Sequence, residues 1–192
     1  MTTHLQRLLE PADGMKSPLA ALFLAQLDDQ HRRLGEDTRG ASIDELDWQY
    51  APGANSIGML LAHIAAVEVG WIQCGLQGYA AWKVEEVLGH PYAALGMPLA
   101  PDGATPEFLR GRDLAWFDDL IGRARAHTGA MLARLDDADF DRRYQVVRPW
   151  DRGTFEGTVR WTLYHVLEHL AGHYGQINLL RHMRRSAAAT RA

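Results

Sequence analysis

The sequence has one cysteine, no long apolar run and little clustered positive charge. Because Cys74 is alone, an internal disulfide is impossible and a cysteine-based zinc site is excluded, which fits a reducing compartment. No stretch approaches the roughly 18 uninterrupted apolar residues that a membrane helix needs. The N-terminal residues MTTHLQRLLEPADG lack the pattern of a signal peptide. We therefore expect a cytoplasmic protein with no membrane partner.

The overall charge argues against nucleic acid as a partner. The formal net charge is -4 and the pI is near 6.1, whereas affinity for phosphates rests on clustered Lys and Arg. Only the C-terminal sequence HMRRSAAATRA is basic, and we interpret residues 186–192 as a disordered tail. The nine histidines are then the available nitrogen ligands for a metal.

Hydrophobic periodicity predicts an all-α fold in a single domain over residues 1–192. A chain of this length forms one core. Apolar residues recur every three or four positions in segments that begin at good capping residues. The predicted long helices are 18–35 after Ser17, 57–76 after Asn55 or Ser56, 113–135, and 159–185 after Thr158. Four amphipathic helices in a small domain indicate a four-helix bundle.

A long crossover is expected between the second and third long helices. Residues 78–112 are rich in proline and glycine and too numerous for a tight turn, so these two helices are predicted to run parallel. Short helical pieces are expected near 80–88 and 105–109. The segment YQVVRPWDRGTFEGT before the last helix can hold a brief extended pair.

The last predicted helix carries histidines at one-turn intervals. His165, His169 and His173 form one polar stripe beside the apolar arc, and residues four apart can share one metal ion. The second long helix is predicted to bury a single apolar stripe. His63 lies at the edge of this stripe and can supply a third imidazole. Three neutral histidines would leave an open coordination position, as in catalytic sites. The residues alone leave open whether these histidines are ligands or core-edge side chains bonded to backbone carbonyls.

Two other features of the sequence give weaker evidence of function. The sequence HVLEH, from His165 to His169, matches the H-x-x-E-H pattern of inverted zinc proteases, with Glu168 as the base. Such an enzyme needs a third ligand well downstream, so we keep this only as an alternative. Cys74 lies roughly 16 Å along the helix from His63, too far to share an ion, and is expected to be buried and inert.

Two segments resemble the DinB/YfiT-like superfamily of bacterial metal-binding proteins. They are LDWQYAPGANSIGMLLAHIAAVEVGWI, Leu46 to Ile72, and TVRWTLYHVLEHLAGHYGQINLLR, Thr158 to Arg181. The resemblance implies a four-helix bundle whose divalent metal is bound by His63, His169 and His173. His165 and Gln176 would then lie in the second shell or the pocket wall. Gly70 and Gly75 depart from the pattern and are expected to loosen the second helix.

The resemblance implies an enzyme whose metal activates a low-molecular-weight thiol for S-transfer or isomerisation of a small-molecule substrate. Relatives include bacillithiol-type S-transferases and a mycothiol-dependent maleylpyruvate isomerase. Zinc or nickel is the first choice of metal, with iron, manganese or copper as alternatives. A metal-dependent hydrolase and a non-catalytic metal- or ligand-binding stress protein remain alternatives. We also expect a homodimer, from the resemblance and because the first and third long helices are rich in apolar residues.

Overall fold

The computed structural model describes residues 8–95, 104–148 and 151–189. The helices are α1 (Pro18–Thr38), α2 (Ile43–Leu46), α3 (Ile57–Gln77), α4 (Glu85–Leu88), α5 (Tyr92–Leu95), α6 (Leu114–Leu132) and α7 (Val159–Ala189). Between α6 and α7 lie a 3₁₀ helix, Asp137–Asp141, and two strands, β1 (Arg143–Val147) and β2 (Thr154–Thr158). Helix accounts for 63% of the chain, which confirms the predicted all-α class.

Capping side chains determine where the long helices begin. Ser17 accepts hydrogen bonds from the first amides of α1, and Ser56 accepts from the amide of Met59 in α3. The Oγ1 atom of Thr158 accepts from the amide of Trp161, 3.2 Å away, at the start of α7. These contacts satisfy amides that a helix cannot pair internally. The helix starts predicted at 18, 57 and 159 are therefore confirmed, whereas α7 continues past the predicted end at residue 185.

Helix α3 forms the centre of the molecule. It packs against α6 and α7, and most of its side chains are buried, so the prediction of a single buried stripe is wrong. By length and composition, with a mean hydropathy of 1.5, this helix could cross a membrane, yet 94% of the window concerned is buried inside the protein. Helices buried on all sides are apolar all round. The apolarity of α3 is therefore explained by its central position.

The directions of the long helices follow from residue pairs along their interfaces. Gly58 lies against Phe117 near the start of both α3 and α6, and Glu68 meets Thr128 further along both. These two helices are parallel, as predicted from the crossover. In contrast, the ring of Trp71 in α3 contacts Trp161 early in α7, while His63 meets His169 later in α7. Helices α3 and α7 are therefore antiparallel.

Two glycines of α3 lie where other side chains press against the helix. A Cβ atom at Gly75 would lie 2.5 Å from Oγ1 of Thr162 on α7, and one at Gly70 would overlap the indole of Trp82. Both residues have helical backbone within α3. The expectation that Gly70 and Gly75 loosen this helix is wrong. They instead allow α7 and the crossover to approach its axis closely.

The crossover differs in detail from its prediction. Its first helical piece is α4, and a further turn of helix, α5, follows. The piece predicted near 105–109 is a hydrogen-bonded turn, in which the amide of Leu109 donates to the carbonyl of Pro106. Residues 96–103 lie outside the described part of the chain. The extended pair predicted before α7 is confirmed as the antiparallel hairpin β1–β2, in which Val146 pairs with Phe155.

Candidate metal centre

Three histidines from two helices converge at the interface between α3 and α7. The Nε2 atom of His169 lies 3.0 Å from Nε2 of His63 and 3.0 Å from Nε2 of His173. The nearest nitrogens of all three lie within 4.8 Å of one another. We call these three residues the histidine cluster. It contains the three residues that the sequence singled out as metal ligands.

Helix geometry explains the convergence. His169 and His173 are four residues apart on α7, so their rings lie on one face, one turn apart. Their ring centroids are 4.3 Å from each other, and that of His63 is 4.9 Å from His169 and 5.0 Å from His173. Because α3 passes α7 closely at this level, a single residue of α3 completes the cluster.

Hydrogen bonds within the cluster cannot satisfy all three nitrogens. A neutral imidazole nitrogen either donates one proton or accepts through one in-plane lone pair, yet Nε2 of His169 faces two other nitrogens at hydrogen-bonding distance. A cation at the centre would accept all three lone pairs. Zinc–nitrogen bonds of about 2.0–2.1 Å in tetrahedral geometry separate the nitrogens by roughly 3.3 Å. The two separations of 3.0 Å from Nε2 of His169 are close to that value.

The surroundings keep the cluster uncharged at neutral pH. Burial, followed by the charge of His173, lowers the pKa of His63 to about 4. Burial and the neighbouring histidines lower the pKa of His169 to about 2, and burial also lowers the pKa of His173. A metal-binding histidine must be neutral. The cluster therefore carries no positive charge that would repel a cation.

Gln176 orients one member of the cluster. Its Oε1 atom lies 2.9 Å from Nδ1 of His173, so Nδ1 carries the proton that it donates to the amide oxygen. The lone pair of His173 is then on Nε2, the atom that faces the cluster. Carbonyl and carboxylate acceptors play this part at many histidine metal sites. The Nδ1 atom of His63 is buried and has no hydrogen-bond partner in the described part of the chain.

His165 lies on the wall beside the cluster. Its ring stacks on Trp161 at 4.7 Å, with 9° between the planes, and its centroid is 5.9 Å from that of His169. Its recorded polar contact is with the exposed carboxylate of Glu168, at 3.4 Å. His165 thus belongs to an aromatic wall rather than to a hydrogen-bonded support. Glu168 points to solvent and not towards the cluster, which disfavours the inverted-protease alternative.

A second buried polar cluster was missed by reasoning from the sequence. The carboxylate of Glu68 on α3, 2% exposed, accepts hydrogen bonds from Arg125 at 2.8 Å and Thr128 at 2.6 Å on α6. Nε2 of His31 on α1 lies 3.0 Å away, and Arg125 also binds Asp28. We call these five residues the Glu68 network. The available signal was a lone carboxylate on an otherwise apolar helix.

Burial does not neutralise Glu68. Burial alone would raise its pKa, but the charge of Arg125 and the hydrogen bonds of His31 and Thr128 lower that pKa to about 2. The carboxylate is therefore ionised and fully paired. By contrast, Cys74 is completely buried, and burial raises the pKa of its thiol to about 12. A thiol of that pKa is neither a nucleophile nor a ligand at neutral pH, as expected from its position.

Comparison with known proteins gives one family. A family model described as mycothiol-S-transferase matches residues 22–185, a range that includes the histidine cluster, Gln176 and the Glu68 network. No curated protein matches the chain.

Proposed function

The chain belongs to the mycothiol-S-transferase family, within the DinB/YfiT-like superfamily, and from this premise we propose a metal-dependent thiol S-transferase. The low-molecular-weight thiol is mycothiol, and the acceptor is a small electrophile. His63, His169 and His173 would hold the divalent ion. The observation that carries the proposal is the convergence of three neutral Nε2 atoms on one point.

A bound divalent ion would supply a positive charge that lowers the pKa of a coordinated thiol and so favours the reactive thiolate. The residues of the chain supply the conditions for this. Three neutral imidazoles leave the charge of the ion uncompensated, and Gln176 fixes the orientation of His173. The aromatic wall of His165 and Trp161 restricts water on one side. Imidazole donors suit zinc or nickel first, with iron, manganese and copper as alternatives.

The proposal extends to the architecture. We propose that α1, α3, α6 and α7 form a four-helix bundle of the DinB type, that residues 1–192 are one domain, and that the enzyme acts in the cytoplasm.

We also propose a homodimer. Large apolar side chains are exposed on α1, where Leu19 and Leu22 are 48% and 39% exposed, and on α7, where Tyr164 is 60% exposed. These surfaces, rather than those of α6, are the candidate interface. Light scattering tests the proposal, because it measures the mass of the particle in solution and so distinguishes a dimer from a monomer.

Thiol transfer by metal-loaded protein tests the proposed function. The zinc-loaded protein is mixed with mycothiol and an alkylating electrophile, and thioether formation is followed by mass spectrometry. We expect transfer that a chelator abolishes and that His63→Ala loses. His182→Ala, outside the cluster, is the control and should retain it. Turnover of an ester or amide without any thiol, and no thioether with mycothiol, would instead support a hydrolase, while no turnover of either kind would support a binding protein.

A further inference from the structure

A cavity of about 400 Å³ lies about one helical turn from the histidine cluster. It lies between the start of α3, the later part of α7 and the segment that joins α2 to α3. Its lining includes Tyr50, Asn55, Leu60, Gln176, Leu179 and Met183. The volume is within the range of about 300–1,000 Å³ typical of small-molecule sites.

The cavity and the cluster share a wall. The side chain of Gln176, which accepts the hydrogen bond of His173, also lines the cavity. Leu60 precedes His63 by three residues on α3, so the two side chains lie one turn apart on neighbouring positions of the helix surface. A molecule in the cavity would therefore lie beside Gln176, about one helical turn from His173 and His63.

On the other side of the cluster, aromatic rings occupy the space between α3 and α7. Trp71 is 3% exposed and meets the ring of His165 at 5.3 Å and that of Trp161 at 5.3 Å. Phe155 from the hairpin contacts Trp161, with the ring centroids 4.5 Å apart and the planes tilted by 40°. These separations are those of rings in contact. The antiparallel pair α3–α7 is thus packed on one side of the cluster and open on the other.

The lining of the cavity is apolar with a few neutral polar groups. Leu60, Leu179 and Met183 supply hydrocarbon and thioether surface, while the polar atoms belong to amides and a phenol. No charged side chain is among its described lining residues. Leu179 and Tyr50 are 58% and 57% exposed, so apolar surface also borders the mouth. Such a lining binds an uncharged, largely aliphatic molecule better than a polyhydroxylated or ionic one.

We propose, on the basis of the proposed S-transfer, that this cavity binds the electrophile and selects one with an uncharged aliphatic body. With a bromoalkane, the thiol sulfur forms a bond to the carbon that carries bromine. The carbon–bromine bond breaks, bromide leaves with the electron pair, and the thiol proton passes to solvent. The cavity holds the alkyl chain while the reacting carbon lies at the cluster.

A homologous series of 1-bromoalkanes tests the selectivity. With zinc-loaded protein and mycothiol, KM for the electrophile should fall roughly threefold for each added methylene until the cavity is full. Leu179→Ser should raise KM for the longer bromoalkanes roughly fivefold, without changing KM for mycothiol. Met183→Trp should fill part of the cavity, so KM should stop falling at a shorter length of the bromoalkane. Leu8→Ser, an equivalent change of a leucine that is 66% exposed and lies outside both the cavity and the proposed interface, is the matched control.

Binding of unreactive 1-alkanols to the same proteins, measured by calorimetry, separates the cavity from the chemistry. Affinity that grows with chain length and falls in Leu179→Ser, but not in Leu8→Ser, supports the inference. If that pattern holds and no thioether forms from any bromoalkane, the proposed function fails while the selectivity of the cavity stands. Affinity independent of chain length, or a KM change confined to mycothiol, overturns the inference.

Discussion

The histidine cluster and the Glu68 network are two groups of buried polar side chains that share helix α3. They differ in how the free-energy cost of burying polar atoms is offset. In the Glu68 network, one carboxylate meets a guanidinium, a hydroxyl and an imidazole, so the charge is opposed and its lone pairs are used. In the histidine cluster, three bases face one another with no acid among them. In the first group the carboxylate is paired within the chain, although Nδ1 of His31 and Nε of Arg125 are buried with no hydrogen-bond partner in the described part of the chain. The second group offers three donor nitrogens to a cation.

This difference indicates what each group does. Buried polar groups are normally paired, and those that are not require an explanation. The Glu68 network joins α1, α3 and α6 and pairs its buried carboxylate with a guanidinium from the same chain, which fits a structural part. The histidine cluster is completed only by a cation, which fits a binding site. Substitutions in the two groups should therefore separate stability from metal binding.

The largest expected effect is the loss of metal binding in the histidine cluster. His169→Ala removes the nitrogen that lies 3.0 Å from both of the others, so we expect no zinc binding at micromolar concentration by calorimetry. The metal-free variant should unfold at nearly the parent's denaturant midpoint, because the lost imidazole has no charged partner. Full zinc occupancy in this variant would remove His169 from the proposed site.

The next effect is on stability alone. Glu68→Gln leaves Arg125 buried without its inner carboxylate, and breaking a buried pair costs about 3–5 kcal/mol. We expect the lower end, since Arg125 keeps Asp28 at 2.6 Å. Chemical denaturation measures the free energy of unfolding, and zinc affinity should stay at the parent level. Glu86→Gln, at an exposed carboxylate, is the control, and an equal effect in both variants would contradict a structural role for the network.

A smaller effect distinguishes the two neighbours of the histidine cluster. Gln176→Ala removes the acceptor from Nδ1 of His173, and the loss of such support typically lowers metal affinity roughly tenfold to a hundredfold. His165→Ala should cost less than Gln176→Ala, because His165 contacts the wall and donates no recorded hydrogen bond to the cluster. Competition with a chelator of known affinity gives both values. A larger loss of zinc affinity in His165→Ala than in Gln176→Ala would show that His165, and not Gln176, supports the cluster.

The smallest expected effect is at Cys74, a buried polarisable group that belongs to neither cluster. Its thiol has a pKa raised by burial to about 12, so it holds its proton at neutral pH. Cys74→Ala should leave zinc affinity and the rate of thiol transfer unchanged within error. Zinc affinity and the rate of thiol transfer are measured on the same preparation. A reduced rate at unchanged zinc affinity would show that the chain's own thiol takes part.

The sequence predicted those features that depend on local spacing. The i, i+4 pair on α7 and the capping residues Ser17, Ser56 and Thr158 act over a few positions, so their outcome could be predicted. The choice of His63 needed the family resemblance as well as its position on the helix. The Glu68 network joins Asp28 to Arg125 and could not be foreseen, because nothing local specifies which helix faces Glu68.

Other errors have the same origin. Helix α3 was expected to bury one stripe, but the burial of its remaining faces depends on elements distant in the chain, such as the hairpin and Trp82. The short helix α2 lies in a segment that shows no sustained period. The turn at Pro106–Leu109 forms the backbone hydrogen bonds of a first helical turn but does not continue as a helix. Periodicity identifies an apolar face but not how many neighbours will cover it.

The contact of Gly75 with Thr162 has a consequence for how this sequence can vary. At this point the two helix axes are as close as the absence of a Cβ atom allows, and any larger residue would act as a wedge between them. Because α3 and α7 are both rigid, a wedge there would widen the gap between His63 and His169, three turns of α3 away. Variation at position 75 is thus restricted by the geometry of the histidine cluster, which the residue never touches.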